Sequence, residues 1–271
     1  MGRYNHGGNQ NLLFGSVGSY LRRCLFRILS IGPIPDHFAF IMDGNRRYAK
    51  KLKLEEGAGH NAGFLSLISL LQYCIELEVK YMTVYAFSID NFKRNPNQVE
   101  RLMDLLLEKI NWFLKEESIV NQYGVRVYFI GNLKLLSDSV RDAAEKVMNA
   151  TASNSRLVLS ICLAYTSRDE IVHAVEESSM DKSDEKMLQE NPEIKLVDVE
   201  KNMYMAIAPD PEIMIRSSGE TRLSNFLLWQ SSNCLLYSPA ELWPEIGLWH
   251  LVWAVLNFQQ NHSYLEKKKQ L

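Results

Sequence analysis

Short apolar runs that end in polar residues alternate along the chain with longer segments whose apolar residues recur every three or four positions. Runs of the first kind predict strands, and segments of the second kind predict helices. Because the two kinds alternate, the sequence favours a mainly parallel sheet with helices on both faces. We predict a single α/β domain whose central sheet has about six strands. The strand runs lie at 38–42, 81–87, 125–130, 157–163, 213–215 and 235–237.

Helices are predicted for most of the remaining segments, and one of them is long. It begins at Pro96, carries a stripe of Leu, Met, Ile and Phe, and ends at about Tyr123, before Gly124. Polar residues at 178–197 predict a surface connection. Other helices are expected directly after the first strand, at 65–79, at 140–148, after 165–169, from about Ser224 and from about Leu248.

A basic amphipathic helix is predicted at 12–31, before the first strand. Such a helix can lie in a membrane interface, dock on a partner or act as a transit peptide, and it can equally pack on its own domain. Gly32-Pro-Ile-Pro35 ends it, so we divide the chain into an N-terminal segment 1–34, a domain 35–265 and a polar tail 266–271. The helix carries Phe14, Val17, Leu21, Leu25, Ile28 and Leu29 on one face, with Arg22, Arg23 and Arg27 as its charges.

Composition excludes several classes of protein. With 271 residues, 46% of them hydrophobic, the chain can bury a full core. A formal net charge of -2 gives no general electrostatic case for binding nucleic acid. The four cysteines are widely spaced, which predicts neither a zinc site nor a disulfide framework. No apolar run approaches the roughly 20 residues that cross a bilayer.

The first strand ends in a group of residues suited to an anionic ligand. Asp43, Gly44, Asn45, Arg46 and Arg47 follow it, and a helix begins there. Helix N-terminal N–H groups and guanidinium groups both bind phosphate. In isolation, the arginines can be solvated surface charges and Asp43 can be a helix N-cap.

Two further strand ends carry similar side chains: Ser88, Asn91 and Arg94 after the second strand, and Arg216, Arg222 and Ser224 after the strand at 213–215. The carboxyl ends of parallel strands share one edge of a sheet, so we expect the three clusters to converge. Alternatively, the serine and asparagine are ordinary turn residues and the arginines form structural ion pairs. Three similar clusters favour a site for a highly anionic ligand, or for two such ligands.

A single carboxylate among several arginines matches the way in which Mg²⁺ is held, by one or two carboxylates together with ligand phosphates. Asp43 is therefore the predicted ligand of Mg²⁺. The apolar stripe of the long helix either belongs to the core or lines a tunnel for a hydrocarbon chain, and its spacing does not distinguish these.

At these residues the chain resembles the cis-prenyltransferases, the family of undecaprenyl and dehydrodolichyl diphosphate synthases, and in particular the eukaryotic dehydrodolichyl type. The resemblance covers about residues 34–264, and no DDxxD motif of the trans-prenyltransferases occurs. The matching motifs are HFAFIMDGNRRYAK at 37–50, GH at 59–60, VYAFSIDNFKR at 84–94, IRSSGETRLSNFLLWQ at 215–230 and LWPE at 242–245.

The resemblance implies repeated condensation of isopentenyl diphosphate onto an allylic diphosphate such as farnesyl diphosphate, with Mg²⁺. It implies that Asp43 binds the metal and that Asn91 lies near the proton lost from isopentenyl diphosphate. Ser88 and Arg94 would position the reacting pair. The allylic diphosphate would be bound by Gly44, Asn45, Arg46, Arg47 and His60, and the isopentenyl diphosphate by Arg216, Arg222 and Ser224.

Three departures from the family pattern bear on function. Glu56 replaces an arginine of bacterial members, and Leu235 replaces a metal-binding glutamate. The chain also ends without the Arg-x-Gly segment that homodimeric members extend into a neighbouring active site. We therefore expect a different, Nogo-B-receptor-like subunit to complete the site, at the cytosolic face of the endoplasmic reticulum membrane. Peripheral membrane contact fits the basic helix, and a cytosolic location is the alternative.

Two other functions stay open at this point. The chain can be a non-catalytic scaffold subunit of the same complex, although such subunits tend to lose the Asp-Gly-Asn-Arg residues that this chain keeps. It can also be a different phosphotransfer or nucleotide enzyme on an α/β sheet, although no GxxxxGK[ST] or GxGxxG follows any predicted strand. The length of the product, dolichol-type or rubber-like, is not readable from the sequence.

Overall fold

A computed structural model describes residues 8–55, 57–185 and 193–269. Glu56, one of the three departures, lies outside the described residues, as do parts of the predicted surface connection and of the C-terminal tail. The division at 34 and 265 stays a prediction.

A six-stranded parallel sheet forms the centre of the molecule, as the alternating pattern predicts. Its spatial order is β3-β4-β2-β1-β5-β6, and every neighbouring pair is parallel. β1 therefore lies between β2 and β5, which places three of the polar strand ends side by side. The strands are β1 (His37–Ile41), β2 (Tyr81–Tyr85), β3 (Val125–Ile130), β4 (Leu157–Cys162), β5 (Ile213–Arg216) and β6 (Leu235–Tyr237).

Helices cover the sheet. The described residues form α1 (Gly8–Leu29), α2 (Asn45–Lys51), α3 (Ala58–Glu76), α4 (Pro96–Trp112), α5 (Ile119–Tyr123), α6 (Asp138–Ala150), α7 (Ser167–Glu185), α8 (Leu196–Lys201) and α9 (Leu248–Lys269). Short 3₁₀ turns lie at Ile89–Lys93, Leu133–Leu135, Tyr204–Ile207 and Trp243–Glu245.

Both faces of β1 are buried, which explains its continuous apolar sequence. Phe38 and Phe40 face the larger core cluster, where Trp243 contacts Phe40 edge to face. Ala39 and Ile41 face a smaller cluster on the opposite side of the sheet. Burial on both sides fixes where β1 ends, and therefore where Asp43 lies.

The helix predicted from Pro96 to Tyr123 is in fact two helices, α4 and α5. Ser118 causes the break because its hydroxyl donates to Phe113 O at 3.0 Å and accepts from Asn121 N at 3.4 Å. The Asn121 side chain satisfies a second carbonyl by donating to Lys115 O at 2.8 Å. Gly124 ends α5 in a left-handed conformation, as predicted.

The helix predicted from about Ser224 is wrong. Ser224, Asn225 and Leu227 have φ angles of 48°, 60° and 45°, in the left-handed region. Tertiary hydrogen bonds hold the segment in this form: Ser167 N donates to Asn225 O at 2.8 Å, and Leu228 N donates to Ser167 Oγ at 2.9 Å. The local sequence favours a helix, but the hydrogen bonds to Ser167 of α7 hold this segment in a different conformation.

The N-terminal segment is helical, but the described part matches the predicted apolar face only in part. Leu29 of that face is buried and Leu25 packs against the core, whereas Leu21 and Ile28 of the same face are 61% and 65% exposed. Phe26, which was not predicted, is also buried. Arg22 binds Glu76 of α3 through two hydrogen bonds of 2.8 and 2.7 Å. Part of this helix therefore packs on its own domain. Within the described ranges no helix is long and apolar enough to cross a membrane.

Candidate active site

The ends of β1 and β5 meet at one carboxylate. Ile41 is in register with Arg216, and Asp43 lies two residues beyond Ile41. Asp43 Oδ2 accepts a hydrogen bond of 2.9 Å from Arg216, and its Oδ1 lies 3.1 Å from a terminal nitrogen of Arg47. The predicted convergence of these two strand ends is confirmed. Burial acts to raise the pKa of Asp43, but Arg216 and Arg47 outweigh it and hold this pKa below its usual value.

The backbone of Asp43 is fixed on both sides. Ser217 Oγ donates to Asp43 O at 2.6 Å and accepts from Asp43 N at 3.0 Å, and Trp243 N also donates to Asp43 O. The N-cap of α2 is Gly44, which makes no side-chain cap, so the interpretation of Asp43 as an N-cap is wrong. Gly44 has a φ of 111°, and an added Cβ would lie 2.9 Å from Leu242 Cδ2. Only glycine fits this turn.

Asn45, the first residue of α2, is pressed against α3. An ideal Cβ on Gly63 would lie 2.1 Å from Asn45 Oδ1, and one on Gly59 would lie 2.1 Å from Asn45 O. The two glycines therefore allow the backbones to approach. Asn45 Oδ1 is buried and lacks a hydrogen-bond partner among the described residues, while Asn45 lines the cavity described below. A polar ligand group in that cavity would satisfy it.

Arg216 connects Asp43 with the segment that follows β5. Its other terminal nitrogen donates to Ser224 Oγ at 2.6 Å and to Arg222 O. Arg222 is also paired with Glu220, as the ion-pair alternative suggested. Arg216 Nε is buried and has no partner within the described ranges. The three residues predicted to bind one diphosphate are thus adjacent.

A second group of basic residues lies near Asp43. Burial lowers the pKa of His60, and the charges of Arg46 and Arg94 lower it further. Burial and Arg46 likewise lower the pKa of Arg94, while Asp43 acts in the opposite direction. These shifts indicate a local excess of positive charge, which an anionic ligand would compensate.

Ser88 and Asn91 are turn residues, as the alternative interpretation held, and they also face the cavity. Asn91 Oδ1 accepts from Ser88 N at 3.1 Å, and Ser88 Oγ accepts from Asp90 N at 3.1 Å. This reciprocal arrangement fixes the 3₁₀ turn after β2. Both side chains line the cavity beside Arg94.

A cavity of about 700 Å³ extends from this polar cluster between α3 and α4. Its polar end is lined by Asp43, Asn45, His60, Ser88, Asn91, Arg94, Arg216, Arg222 and Ser224. Its apolar walls include Phe64, Leu67, Val84, Leu102, Leu105, Leu106, Ile110, Phe113 and Phe129. Both interpretations of the α4 stripe apply, because Leu102, Leu106, Ile110 and Phe113 line the cavity and also belong to the larger core cluster or pack against it. Arg46 and Arg47 lie beside the cluster rather than in the cavity lining.

Several residues of the site were not predicted. Ser217 holds the backbone of Asp43, and Asn225, Lys109 and Trp243 line the cavity. The LWPE motif at 242–245 contains Trp243 and could have indicated it. Nothing in the local sequence distinguishes Ser217 from its neighbour Ser218. Ser218, with a φ of 74°, accepts from Arg47 at 2.7 Å.

Within the described ranges, no three His, Cys, Asp or Glu residues lie close enough to hold a metal by themselves. Leu235, at the position aligned with a metal-binding glutamate, packs partly buried against the core. The donor set around Asp43 suits a cation that takes most of its ligands from phosphate and water.

Comparison with known proteins places the chain in a family. The model of the undecaprenyl diphosphate synthase family matches residues 41–265, a range that includes each of the clusters described above. The chain belongs to this family. The cis-prenyltransferase resemblance inferred from the motifs is confirmed.

Relatives of this cis-prenyltransferase chain are found among both sequences and structures. Dehydrodolichyl diphosphate synthase 6 of Arabidopsis thaliana is 60% identical, covering 99% of this chain and 97% of that protein. The dehydrodolichyl diphosphate synthase complex subunit of Homo sapiens is 42% identical, over 95% of this chain and 76% of that protein. The crystal structure of lavandulyl diphosphate synthase from Lavandula x intermedia in complex with dimethylallyl diphosphate is similar, with a TM-score of 0.74 and 26% sequence identity. The match covers 83% of this chain and 95% of that chain.

Proposed function

We propose that the chain is the catalytic subunit of a long-chain cis-prenyltransferase. It would condense isopentenyl diphosphate onto an allylic diphosphate such as farnesyl diphosphate, giving a polyprenyl diphosphate of the dehydrodolichyl type. The observation that carries this proposal is a cluster of arginines around Asp43 at the mouth of an apolar cavity. A diphosphate bearing a hydrocarbon chain has matching polar and apolar parts.

In each cycle the C–O bond of the allylic diphosphate breaks, and a new C–C bond forms to isopentenyl diphosphate, which then loses a proton. Negative charge builds on the departing diphosphate. Arg46 and Arg47, at the start of α2, would stabilise that charge. Asp43, together with phosphate oxygens, would hold Mg²⁺, which would further neutralise the leaving group.

The second diphosphate would be bound on the other side of Asp43. Arg216, Arg222 and Ser224 are the proposed donors, and Arg216 is already oriented by Ser224 Oγ and Arg222 O. Asn91 and Ser88 lie on the turn after β2 and would orient the reacting carbon atoms and the proton that is lost. The apolar walls exclude water from the allylic cation.

Radiolabelled isopentenyl diphosphate with farnesyl diphosphate and Mg²⁺ tests the proposal. We expect labelled polyprenyl products whose lengths differ by five-carbon steps, and no product from Asp43→Ala. Nucleotide turnover without prenyl transfer would contradict the proposal. Undiminished activity of a complex that contains the Asp43→Ala chain would assign the chain a scaffold role instead.

We also propose that the active form is a heteromer with a Nogo-B-receptor-like subunit. The human relative, described as a complex subunit, supports this. Strand β6 adds support because it is a short edge strand with Leu236 52% exposed. We expect low activity from the purified chain and a large increase on adding the partner. Full activity from the chain alone would contradict a heteromer.

Peripheral attachment to the cytosolic face of the endoplasmic reticulum membrane is the location that we propose. Exposed apolar side chains on and just after α1 support this location, since they lie beside exposed arginines. The apolar ones are Tyr20, Leu21, Ile28 and Ile31, and the arginines are Arg23 and Arg27. Apolar and cationic groups together favour binding to an anionic bilayer surface. Flotation with anionic liposomes should recover the chain, and less so in high salt. If the variant with Leu21→Ser and Ile28→Ser is recovered with the liposomes as fully as the wild type, attachment through α1 is contradicted.

A further inference from the structure

The outward face of α9 carries large apolar side chains. Trp249 and Trp253 are 70% and 56% exposed, although tryptophan side chains are highly buried on average. Leu256 and Tyr264 continue the same face, because each position follows the previous one by roughly one or two turns of the helix. The opposite face of α9 packs into the larger core cluster through Leu251, Val252, Ala254, Val255, Phe258 and Leu265. The exposed apolar face therefore contributes nothing to the core.

The end of α1 lies beside this face. The Gln259 side chain donates to Leu29 O at 2.7 Å and to Pro33 O at 3.2 Å, which joins the end of α1 to the middle of α9. Gln259 comes less than one turn after Leu256 and so borders the apolar face. Ile31, which is exposed, lies between the two residues that Gln259 binds. The exposed apolar residues of α1 and α9 therefore lie on adjoining elements.

Basic residues accompany these apolar residues, and acidic residues are scarce among them. The sequence has no Asp or Glu at 1–35 and none at 248–265, although the net charge of the whole chain is -2. Arg23 and Arg27 on α1 are exposed, as are Lys267 and Lys268 near the end of α9. Glu266 is the single acidic residue in the sequence of α9. This part of the surface is complementary in charge to an anionic bilayer.

The residue types also favour lipid over protein as the occupant. Tryptophan and tyrosine suit the boundary between hydrocarbon and water, because each combines an apolar ring with a polar group that stays hydrated. Lysine, by contrast, is depleted in protein–protein interfaces. We propose that the outward face of α9, together with the end of α1, binds an anionic bilayer surface. This inference rests on the proposed peripheral attachment, which it extends from one helix to two.

The test compares the double variant Trp249→Ser, Trp253→Ser with the matched control Val172→Ser, Val175→Ser. The two valines are exposed on α7, so each variant replaces two exposed apolar side chains. The full chain is floated with vesicles of equal parts phosphatidylcholine and phosphatidylserine. We expect the tryptophan variant to bind at least about tenfold more weakly than the wild type, since it loses the apolar area that the two rings would bury. The valine variant should bind like the wild type, and vesicles of phosphatidylcholine alone should bind all three less.

A fluorescence measurement covers the case in which the serine variant does not fold. Vesicles of the same composition with brominated acyl chains should quench the tryptophan fluorescence of the wild type. The double variant Trp249→Phe, Trp253→Phe keeps two apolar rings and should still float, but most of the quenching should be lost. Equal quenching of this variant and the wild type would overturn the inference. The tryptophans that remain in it are Trp112, Trp229 and Trp243.

Two other results would overturn the inference while leaving attachment through α1 in place. One is wild-type flotation of the folded serine variant. The other is a dimer, or a complex with the partner subunit, that the wild type forms without lipid and the serine variant does not, because α9 would then be a protein interface. If the wild type itself does not float, the proposed attachment is overturned as well. Prenyl transfer by the wild type tests the proposed enzyme activity separately.

Discussion

At the scale of single residues, Asp43 joins charged groups that come from two different strand ends. Two arginines bind its two oxygens, and its backbone is fixed by Ser217 and Trp243. The sequence predicted the carboxylate and the arginines from their position after strands. It could not predict which arginine binds which oxygen, because Arg216 is 173 positions away and only β-sheet register brings it to Asp43.

Asp43→Asn should lower kcat by about 10²- to 10³-fold, the usual effect of removing one preorganised electrostatic group from an active site. The amide keeps the shape of the side chain but removes the charge that would hold Mg²⁺. Steady-state prenyl transfer measures this. The control is Asp36→Asn, since Asp36 is exposed and its side chain pairs with Lys80. A loss of less than tenfold would contradict the role given to Asp43.

His37 predicts a pH dependence of stability. Burial lowers its pKa to about 4, with the backbone hydrogen bond to Pro209 O acting in the opposite direction. Because that carbonyl only accepts, Nδ1 carries the proton at 2.6 Å, and Nε2 accepts from Thr83 Oγ1 at 2.8 Å. Between pH 6.5 and 4 the unfolded chain binds a proton that the folded chain does not bind. The free energy of unfolding therefore falls as the pH falls through this window.

His37→Gln removes this proton uptake. The stability difference between wild type and His37→Gln should shrink by about 2 kcal/mol between pH 7 and pH 5, at about 1.4 kcal/mol per pH unit below 6.5. Urea unfolding at both pH values measures it, and other titrating groups cancel in the difference. A difference that stays constant with pH would show that His37 is protonated in the folded chain.

At the scale of elements, the six strands were predictable, but not every helix was. The break between α4 and α5 was missed, and the connection predicted at 178–197 contains the end of α7 and the start of α8. The segment after β5 was not predictable either. Its helix-like sequence is overridden by contacts with α7 and by Phe226, which stacks on Tyr85 at 4.5 Å between ring centroids. A buried carboxylate supports the same segment. Glu170 accepts from Tyr165 OH at 2.5 Å, from Met205 N at 2.9 Å and from the Gln230 side chain at 3.2 Å.

Glu170→Gln should misplace the segment that carries Arg222 and Ser224, because an amide nitrogen replaces one acceptor oxygen among three donors. We expect KM for isopentenyl diphosphate to rise more than KM for the allylic substrate, and kcat/KM to fall by up to about 10²-fold. The control is Glu176→Gln, on the exposed side of α7. Equal changes in both KM values would indicate a general structural defect instead.

At the scale of the whole molecule, a net charge of -2 coexists with a positive site. Local charge matters here because arginines from α2, from the turn after β2 and from the end of β5 gather at one edge of the sheet. The overall composition does not show this local positive charge, because it counts all charges together. The positions of the arginines directly after predicted strands do show it. The cavity could not be predicted, because the spacing of apolar residues on α4 is the same for a core and for a cavity wall.

This concentration of charge predicts binding of inorganic pyrophosphate with Mg²⁺ in the absence of any prenyl group. Ligand at 100 times its Kd should stabilise the folded chain by about 2.7 kcal/mol, which raises Tm. Arg216→Gln should weaken the effect, because it removes a charge next to Asp43 and Ser224, whereas Arg141→Gln, on the distant helix α6, should preserve it. Thermal unfolding with and without pyrophosphate measures both. Raising the salt concentration should diminish the Tm shift, since salt screens the exposed part of the electrostatic attraction. If pyrophosphate shifts Tm equally in Arg216→Gln and Arg141→Gln, the anion binds elsewhere on the molecule.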